Sequence, residues 1–148
     1  MPTLSKNKKA YHDYEILETY ESGIQLMGPE VKSCRAGNIN LKGSFISIDS
    51  KGDIWLEKAH ISPYKLASRQ NPDPYRKRKL LLHQKEINKI ETKLNEQGVT
   101  CVPLELYTKG GLIKLKIALV RGKKQYDKRT DLKKRAQNLD IARALKRK

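Results

Sequence analysis

The C-terminal stretch from residue 121 to 148 most limits what this chain can fold into, because it lacks the apolar side chains that a core requires. Its large aliphatic residues are four in number, namely Leu132, Leu139, Ile141 and Leu145. It carries 12 Lys and Arg residues against three Asp, so it holds +9 of the chain's net charge of +16. Such a segment cannot bury enough surface to offset the entropy lost on ordering. We therefore expect the preceding residues to form the folded part and the tail to order on a polyanion.

The remaining residues are enough for one small barrel or α+β domain. They are basic as well, with 20 Lys and Arg against 13 Asp and Glu, which favours nucleic acid as a partner over a membrane surface. The longest apolar runs, residues 80–82 and 117–120, are far shorter than a membrane span. Residues 1–10 contain no apolar signal-peptide region. We therefore expect a cytoplasmic protein without a membrane partner, with its two cysteines reduced, buried and unlinked.

Alternation of apolar and polar residues predicts about six antiparallel strands. The alternation runs through residues 14–26, 39–48 and 54–61, and it returns at 102–107 and 115–119. Turn-forming residues at 49–52 and 109–111 predict two hairpins. Pro103 within one run predicts an edge strand or a bulge.

Two helices interrupt this pattern. Residues 29–36 predict a short helix that begins with a proline and stops at Gly37. Residues 83–97 predict a longer one, with Glu86 in the capping-box position and Gly98 as its stop. Residues 63–79 are rich in proline and basic residues and predict a loop.

These elements together favour a mainly β fold with some α, an oligonucleotide-binding-like antiparallel barrel. The predicted organisation is a basic N-terminal arm at residues 1–10, the barrel at 11–121, and the basic tail at 122–148, disordered when the protein is free. In the tail, Leu132, Ala136, Leu139 and Arg143 lie on one helical stripe. A lone helix of about 16 residues is marginal in water, which favours helix formation only on a binding partner.

The residues that could support catalysis or metal binding form no pattern. The three histidines, His12, His60 and His83, show no metal-ligand spacing. Glu18 and Glu21 would fall on opposite faces of a strand. A phosphate-cradling G-x-x-x-x-G-K motif is absent. The sequence therefore predicts a protein that is not an enzyme and needs no cofactor or metal.

Tyrosines accompany the basic clusters of this chain. They are Tyr11, Tyr64, Tyr75 and Tyr126. A phenol ring beside cations suits an unpaired nucleobase, which stacks on the ring while neighbouring phosphates pair with Lys or Arg. The alternative for each of these tyrosines is packing at the protein surface.

Five blocks of sequence resemble the SmpB family, the bacterial SsrA-binding proteins of trans-translation, and they occur in the family's order. They read N-K-K-A-Y-H-D-Y at 7–14, G-P-E-V-K-S-C-R-A-G at 28–37, A-H-I-S-P-Y at 59–64, R-K-L-L-L-H at 78–83 and G-K-K-Q-Y-D-K-R at 122–129. The blocks span nearly the whole chain and are far more specific than its charge.

The resemblance implies an oligonucleotide-binding-type barrel that binds the tRNA-like domain of tmRNA, the SsrA RNA. It implies further that this complex, with alanyl-tmRNA and the GTP-bound elongation factor Tu, enters ribosomes stalled on messages that lack a stop codon. The protein would then occupy the decoding site, against small-subunit rRNA, and its tail would enter the empty mRNA channel.

The resemblance also implies roles for individual residues. Asn7, Glu21 and Leu81 match positions that the family uses to bind tmRNA. An amide both donates and accepts, a carboxylate accepts from base amino or 2′-hydroxyl groups, and a leucine packs on a base or ribose. The tail residues divide into a connecting motif, Gly122, Lys123 and Lys124, and a decoding-site motif, Asp127, Lys128 and Arg129.

Two positions depart from the family pattern. Tyr126 stands where many members have His, and Tyr11 stands where Arg is usual. Two other functions remain open at this point: a generic RNA-binding or ribosome-associated protein without tmRNA specificity, and a nuclease that uses His12 or His60 for acid–base chemistry.

Overall fold

The computed structural model describes residues 3–66 and 71–122. Nine strands and three helices follow one another in these two ranges. In chain order they are β1 (Thr3–Lys6), α1 (Lys8–Asp13), β2 (Tyr14–Ile24), α2 (Gly28–Arg35), β3 (Ile39–Asn40), β4 (Phe45–Ile48), β5 (Ile54–Glu57), β6 (His60–Ile61), β7 (Arg78–Leu81), α3 (Gln84–Leu94), β8 (Val99–Lys109) and β9 (Leu112–Gly122).

Seven of the strands form one antiparallel sheet in the order β1-β8-β9-β2-β7-β5-β4, and β3 pairs with β6 separately. The prediction of a mainly β, antiparallel fold is therefore confirmed. The sheet curls enough for β4 to contact β8. Within the two described ranges β1 and β4 share no hydrogen-bonded ladder, so the sheet is open where the sequence predicted a closed barrel. The strand count exceeds the predicted six because β1 and β7 are too short to show alternation, and because the runs at 39–48 and 54–61 each divide into two strands.

The main core lies on one face of this sheet, against α3. Its fully buried members include Leu56, Leu80, Ile90, Leu106 and Leu115, and both cysteines are buried and free, as predicted. A second, smaller core lies on the other face, where Ala10 of α1 packs with Val102, Leu104, Ala118 and Val120. One end of the β8–β9 hairpin is thus covered on both faces, which explains its nearly continuous apolar sequence.

The N-terminal residues differ from the prediction of an arm outside the fold. Residues 3–6 form β1, which pairs with β8, and α1 follows at once. The strand lies at an edge of the sheet, where polar and lysine-rich sequences are common. A run of four residues is too short for alternation of apolar and polar residues to predict a strand. Because β1 covers β8, Pro103 does not lie on an edge strand, and the alternative of a bulge is the correct one, with a register shift between Pro103 and Glu105.

The predicted helices are present, with small differences at their ends. The short helix forms α2, and the long one begins after its N-cap residue His83 and ends at Leu94. The Glu86 carboxylate accepts from the His83 backbone N–H at 3.2 Å. The predicted basic loop is irregular up to residue 77 where it is described, but its last two residues belong to β7. No helix in the described ranges is long and apolar enough to cross a membrane.

Candidate RNA-binding surface

One face of the sheet lies opposite the main core, and we call it the outer face. Directly paired residues of antiparallel strands share a face. On this face Lys116 pairs with both Glu21 and Glu105, and Gly23 pairs with Leu81. Glu21 and Gly23 are two residues apart on β2. The structure therefore brings two predicted site residues, Glu21 and Leu81, onto one surface.

The Glu21 carboxylate is held by two donors from β8. The Tyr107 hydroxyl donates a hydrogen bond to it, and the Lys109 ammonium lies 3.3 Å from each oxygen. The Tyr107 hydrogen bond lowers the pKa of Glu21 below its usual value, with a further contribution from Lys109. Burial and the same carboxylate raise the pKa of Tyr107. Glu21 is thus a fixed, ionised acceptor with lone pairs still open to a ligand.

A second tyrosine–glutamate pair lies across the same cleft. The Tyr11 hydroxyl donates to Glu105 at 2.6 Å, and the Lys6 ammonium lies 5.0 Å from the centre of the Tyr11 ring. Tyr11 therefore anchors α1 to the sheet. The cleft has a volume of about 280 Å³, and its lining includes Thr19, Tyr20, Glu21, Glu105, Tyr107 and Lys116.

Leu81 lies exposed on the outer face, with 48% of its surface accessible. It rests on Gly23, where a Cβ atom would come within 3.2 Å of the Leu81 Cβ. It also lines a neighbouring cleft of about 320 Å³ together with Leu112 and Lys114. Glycine at position 23 therefore allows an apolar side chain to lie across β2 within reach of a ligand at Glu21.

Asn7 does not reach this surface. It is 6% exposed and caps α1, where its Oδ1 accepts from the Ala10 backbone N–H at 3.2 Å. Its Nδ2 donates to the backbone oxygen of Pro103 at 2.9 Å. The side chain thus fixes α1 against the bulge of β8, and we expect any effect of Asn7 on RNA binding to act through the stability of the fold.

We expect Asn7→Ala to lower the free energy of unfolding by about 1–2 kcal/mol, because an N-cap and a buried hydrogen bond are lost together. Urea denaturation measures this change. Binding to RNA should fall only to the extent that the folded fraction falls. An unchanged stability with a large loss of RNA binding would instead show that Asn7 contacts RNA directly.

The tail residues of the prediction can be placed only in part. Gly122 ends β9 and pairs with Tyr14. The others lie outside the described residues, together with the predicted tail helix: Lys123, Lys124, Tyr126, Asp127, Lys128 and Arg129.

Sequence reasoning missed the residues that hold Glu21. The two glycines at the tip of the β8–β9 hairpin indicate part of this arrangement, because the position of the turn fixes which residues of the two strands pair. Tyr107 falls opposite Lys114, and Lys109 falls opposite Leu112. What the hairpin alone could not show is that β2 pairs with β9 and so brings Glu21 within reach of β8.

Comparison with known proteins shows which family this chain resembles. The family model for "SmpB protein" matches residues 4–147. The SsrA-binding protein of Geobacillus sp. (strain WCH70) is 52% identical over 143 residues, which cover 97% of this chain and 92% of the relative. The SsrA-binding protein of Bacillus subtilis (strain 168) is also 52% identical, over 97% of this chain and 91% of its own.

A solved structure described as "tmRNA-SmpB: a journey to the center of the bacterial ribosome" has a TM-score of 0.71 to this chain and 48% sequence identity, covering 92% of this chain and 94% of its own. The names of these relatives describe binding rather than catalysis. Because the match extends over nearly the whole chain in sequence and in structure, this protein belongs to the SmpB family.

Proposed function

We propose that this protein is an adaptor of trans-translation that binds the tRNA-like domain of tmRNA and brings it to ribosomes stalled on messages without a stop codon. The observation that carries the proposal is that Glu21 and Leu81 share the outer face of the sheet. Relatives of this protein are named SsrA-binding protein, and one similar solved structure is described as tmRNA-SmpB in the bacterial ribosome.

The outer face has the chemistry that RNA requires. Glu21 accepts from base amino or 2′-hydroxyl groups and repels a misplaced phosphate. Lys109, Lys114 and Lys116 lie around it and suit phosphates, which fix the orientation of an RNA without reading its sequence. Leu81 offers an apolar contact to an exposed base or ribose. An acceptor, an apolar contact and several cations at one place favour a particular RNA shape over RNA in general.

The wider role has the following parts. The curled sheet serves as an oligonucleotide-binding-type scaffold, and the protein acts without catalysis in the bacterial cytoplasm. It travels with alanyl-tmRNA and the GTP-bound elongation factor Tu. At the ribosome the tail, residues 122–148, contacts small-subunit rRNA at the decoding site and enters the mRNA channel that is empty when message is missing.

The test of this function is selective binding. We expect Glu21→Ala to weaken binding to the tRNA-like domain of tmRNA by about 10- to 100-fold, because a charge-assisted hydrogen bond contributes about 1.5–3 kcal/mol. Filter binding at a fixed salt concentration measures this. Nonspecific binding to duplex RNA should not weaken, since removal of an acid only lowers repulsion of phosphate.

Glu15→Ala provides the matched control. Glu15 is another exposed acid of β2 and pairs with Arg121, away from Leu81. It should bind the tRNA-like domain like the unaltered protein. Equal affinity of the unaltered protein for ordinary tRNA and for the tRNA-like domain would favour a generic RNA-binding protein instead, and cleavage of the RNA would favour a nuclease.

A further inference from the structure

A line of side chains continues from the proposed RNA site along the outer face. Leu81 and Lys79 lie two residues apart on β7, and Lys77 precedes that strand by one residue. Lys79 is opposite Trp55 of β5. At a rise of about 3.3 Å per residue, the line from position 81 to 77 extends about 13 Å away from Glu21.

The direction of Lys77 is set by its two neighbours. Arg76 and Arg78 both turn inward to the Glu30 carboxylate, at 2.5 and 2.7 Å. Lys77, between them, is directed outward, and its ammonium lies 4.5 Å from the centre of the Trp55 ring. The backbone oxygen of Pro74 accepts from the Ile61 N–H and from Arg78, so residues 74–78 are fixed at both ends.

An exposed aromatic ring stands at the end of this line. Tyr75 is 61% exposed, and its ring leans on His60 with centroids 4.9 Å apart at an angle of 60°. The ring borders an open depression of about 680 Å³ whose lining is otherwise Gly43, Glu57, Lys58 and Lys77. The ring is therefore held by a neighbour and still offers area to a ligand.

The charges around the depression leave two lysines for a ligand. Within the described ranges no carboxylate lies within 4.0 Å of the Lys58 or Lys77 ammonium. The nearby acids are already engaged: Glu57 accepts from the Ser47 hydroxyl, and Asp53 pairs with Lys79 at 3.5 Å.

One further acid, Asp49, is engaged as well, and the backbone of Lys58 has an uncommon conformation. Asp49 accepts from the Trp55 indole N–H at 2.9 Å and from two backbone N–H groups. Lys58 has a φ of 67°, a conformation that is uncommon for residues other than glycine and is found mainly where function or packing requires it.

We propose that this depression is a second RNA contact, which takes one unpaired nucleobase stacked on Tyr75 with the adjoining phosphates on Lys58 and Lys77. The inference rests on the proposed function, because the RNA is the one that binds at Glu21 and Leu81. An aromatic ring beside two ammonium groups that have no carboxylate within 4.0 Å in the described ranges suits a base and its phosphates. A protein partner would find little apolar surface here, since the lining is one ring, a glycine, two lysines and an acid.

The test uses Trp55, the single tryptophan of the chain, as a reporter beside the site. The probes are an eight-nucleotide uridine oligomer and the tRNA-like domain of tmRNA. Tyr75→Leu should weaken binding of the oligomer by about 5- to 100-fold, the range expected for the loss of one base–aromatic stack. Tyr75→Phe should bind like the unaltered protein, because the ring is kept.

A charge variant tests the phosphates independently. Lys77→Gln, measured by anisotropy of a labelled oligomer, should reduce the slope of log affinity against log salt by about 0.7, as for one lost contact on a single strand. Lys85→Gln, an exposed lysine of α3, is the matched control and should leave the slope nearly unchanged.

The outcomes separate the two proposals. Unchanged oligomer affinity in Tyr75→Leu, or an equal loss in Tyr75→Phe at unchanged thermal midpoint, would overturn the stacking site. If the stacking site were overturned in this way but Glu21→Ala weakened binding of the tRNA-like domain, the proposed function would stand without the second RNA contact. If Tyr75→Leu did not fold, the salt slope of Lys77→Gln would decide, and an unchanged slope would count against the site.

Discussion

Truncation after Gly122 is expected to leave binding to the tRNA-like domain of tmRNA within about tenfold of the full-length value and to abolish peptide tagging on stalled ribosomes. The sheet is complete at this residue, since β9 ends there with its pairs to β2 and β8 in place. The residues removed carry 11 Lys and Arg and three Asp. Their loss weakens the sequence-independent part of RNA binding and lowers its salt dependence.

A reconstituted tagging assay, run beside a filter-binding titration, measures both quantities. The matched control ends at residue 145, which removes the last three cations but keeps the block at 122–129. It should tag at nearly the full-length rate. Loss of tmRNA binding in the Gly122 truncation would contradict the division between a binding domain and a ribosomal tail. Tagging at the full-length rate would contradict a role for the tail in the ribosome.

Sequence reasoning succeeded where a local pattern was strong. The Gly110-Gly111 turn, the capped helix ending at Leu94 and the hairpin around residues 49–52 all follow from neighbouring residues. It failed where the decisive partner is distant in sequence. Residues 3–6 become a strand only because β8 offers an unpaired edge about a hundred residues later.

The candidate site also combines residues that the sequence indicated with residues whose surroundings depend on partners distant in sequence. The family resemblance pointed to Glu21 and Leu81, and pairing across β2, β7 and β9 explains why they lie together. The resemblance also pointed to Asn7, and composition could not show that this polar residue is buried as a helix cap. Arg78 shows most clearly that composition does not predict burial. The sequence predicts that it lies in a basic loop, but it is the largest fully buried side chain of the described structure.

Arg78 and Glu30 form a buried ion pair that ties α2 to β7. Glu30 is 2% exposed and Arg78 is fully buried. The Glu30 carboxylate accepts from Arg78 at 2.7 and 3.0 Å, from Arg76 and from the Met27 backbone N–H. Arg78 also donates to the backbone oxygen of Ala59 at 2.7 Å. The charges and their hydrogen bonds are thus mutually satisfied in a site closed to solvent.

Glu30→Ala is expected to lower the free energy of unfolding by about 3–5 kcal/mol, because it leaves the Arg78 guanidinium buried without its counter-charge. A loss of this size is a large part of the roughly 5–15 kcal/mol that stabilises a small domain. Urea denaturation followed by circular dichroism measures it. Glu15→Ala, an exposed acid, should change stability by less than about 0.5 kcal/mol. A similarly small effect of Glu30→Ala would show that the pair is dispensable.

The same pair predicts how stability depends on pH. Burial acts to raise the pKa of Glu30, but hydrogen bonds from Arg76, Met27 and Arg78 outweigh it, so the pKa lies below its usual value of 4.5. A carboxyl whose pKa is lower in the folded state contributes stability that is fully present above 4.5 and is lost as the pH falls through the folded pKa. Glu30→Gln has no such carboxyl. The difference in unfolding free energy between the unaltered protein and Glu30→Gln should therefore be constant at neutral pH and shrink below about pH 4.5, and a difference that grew on acidification would contradict the ionised pair.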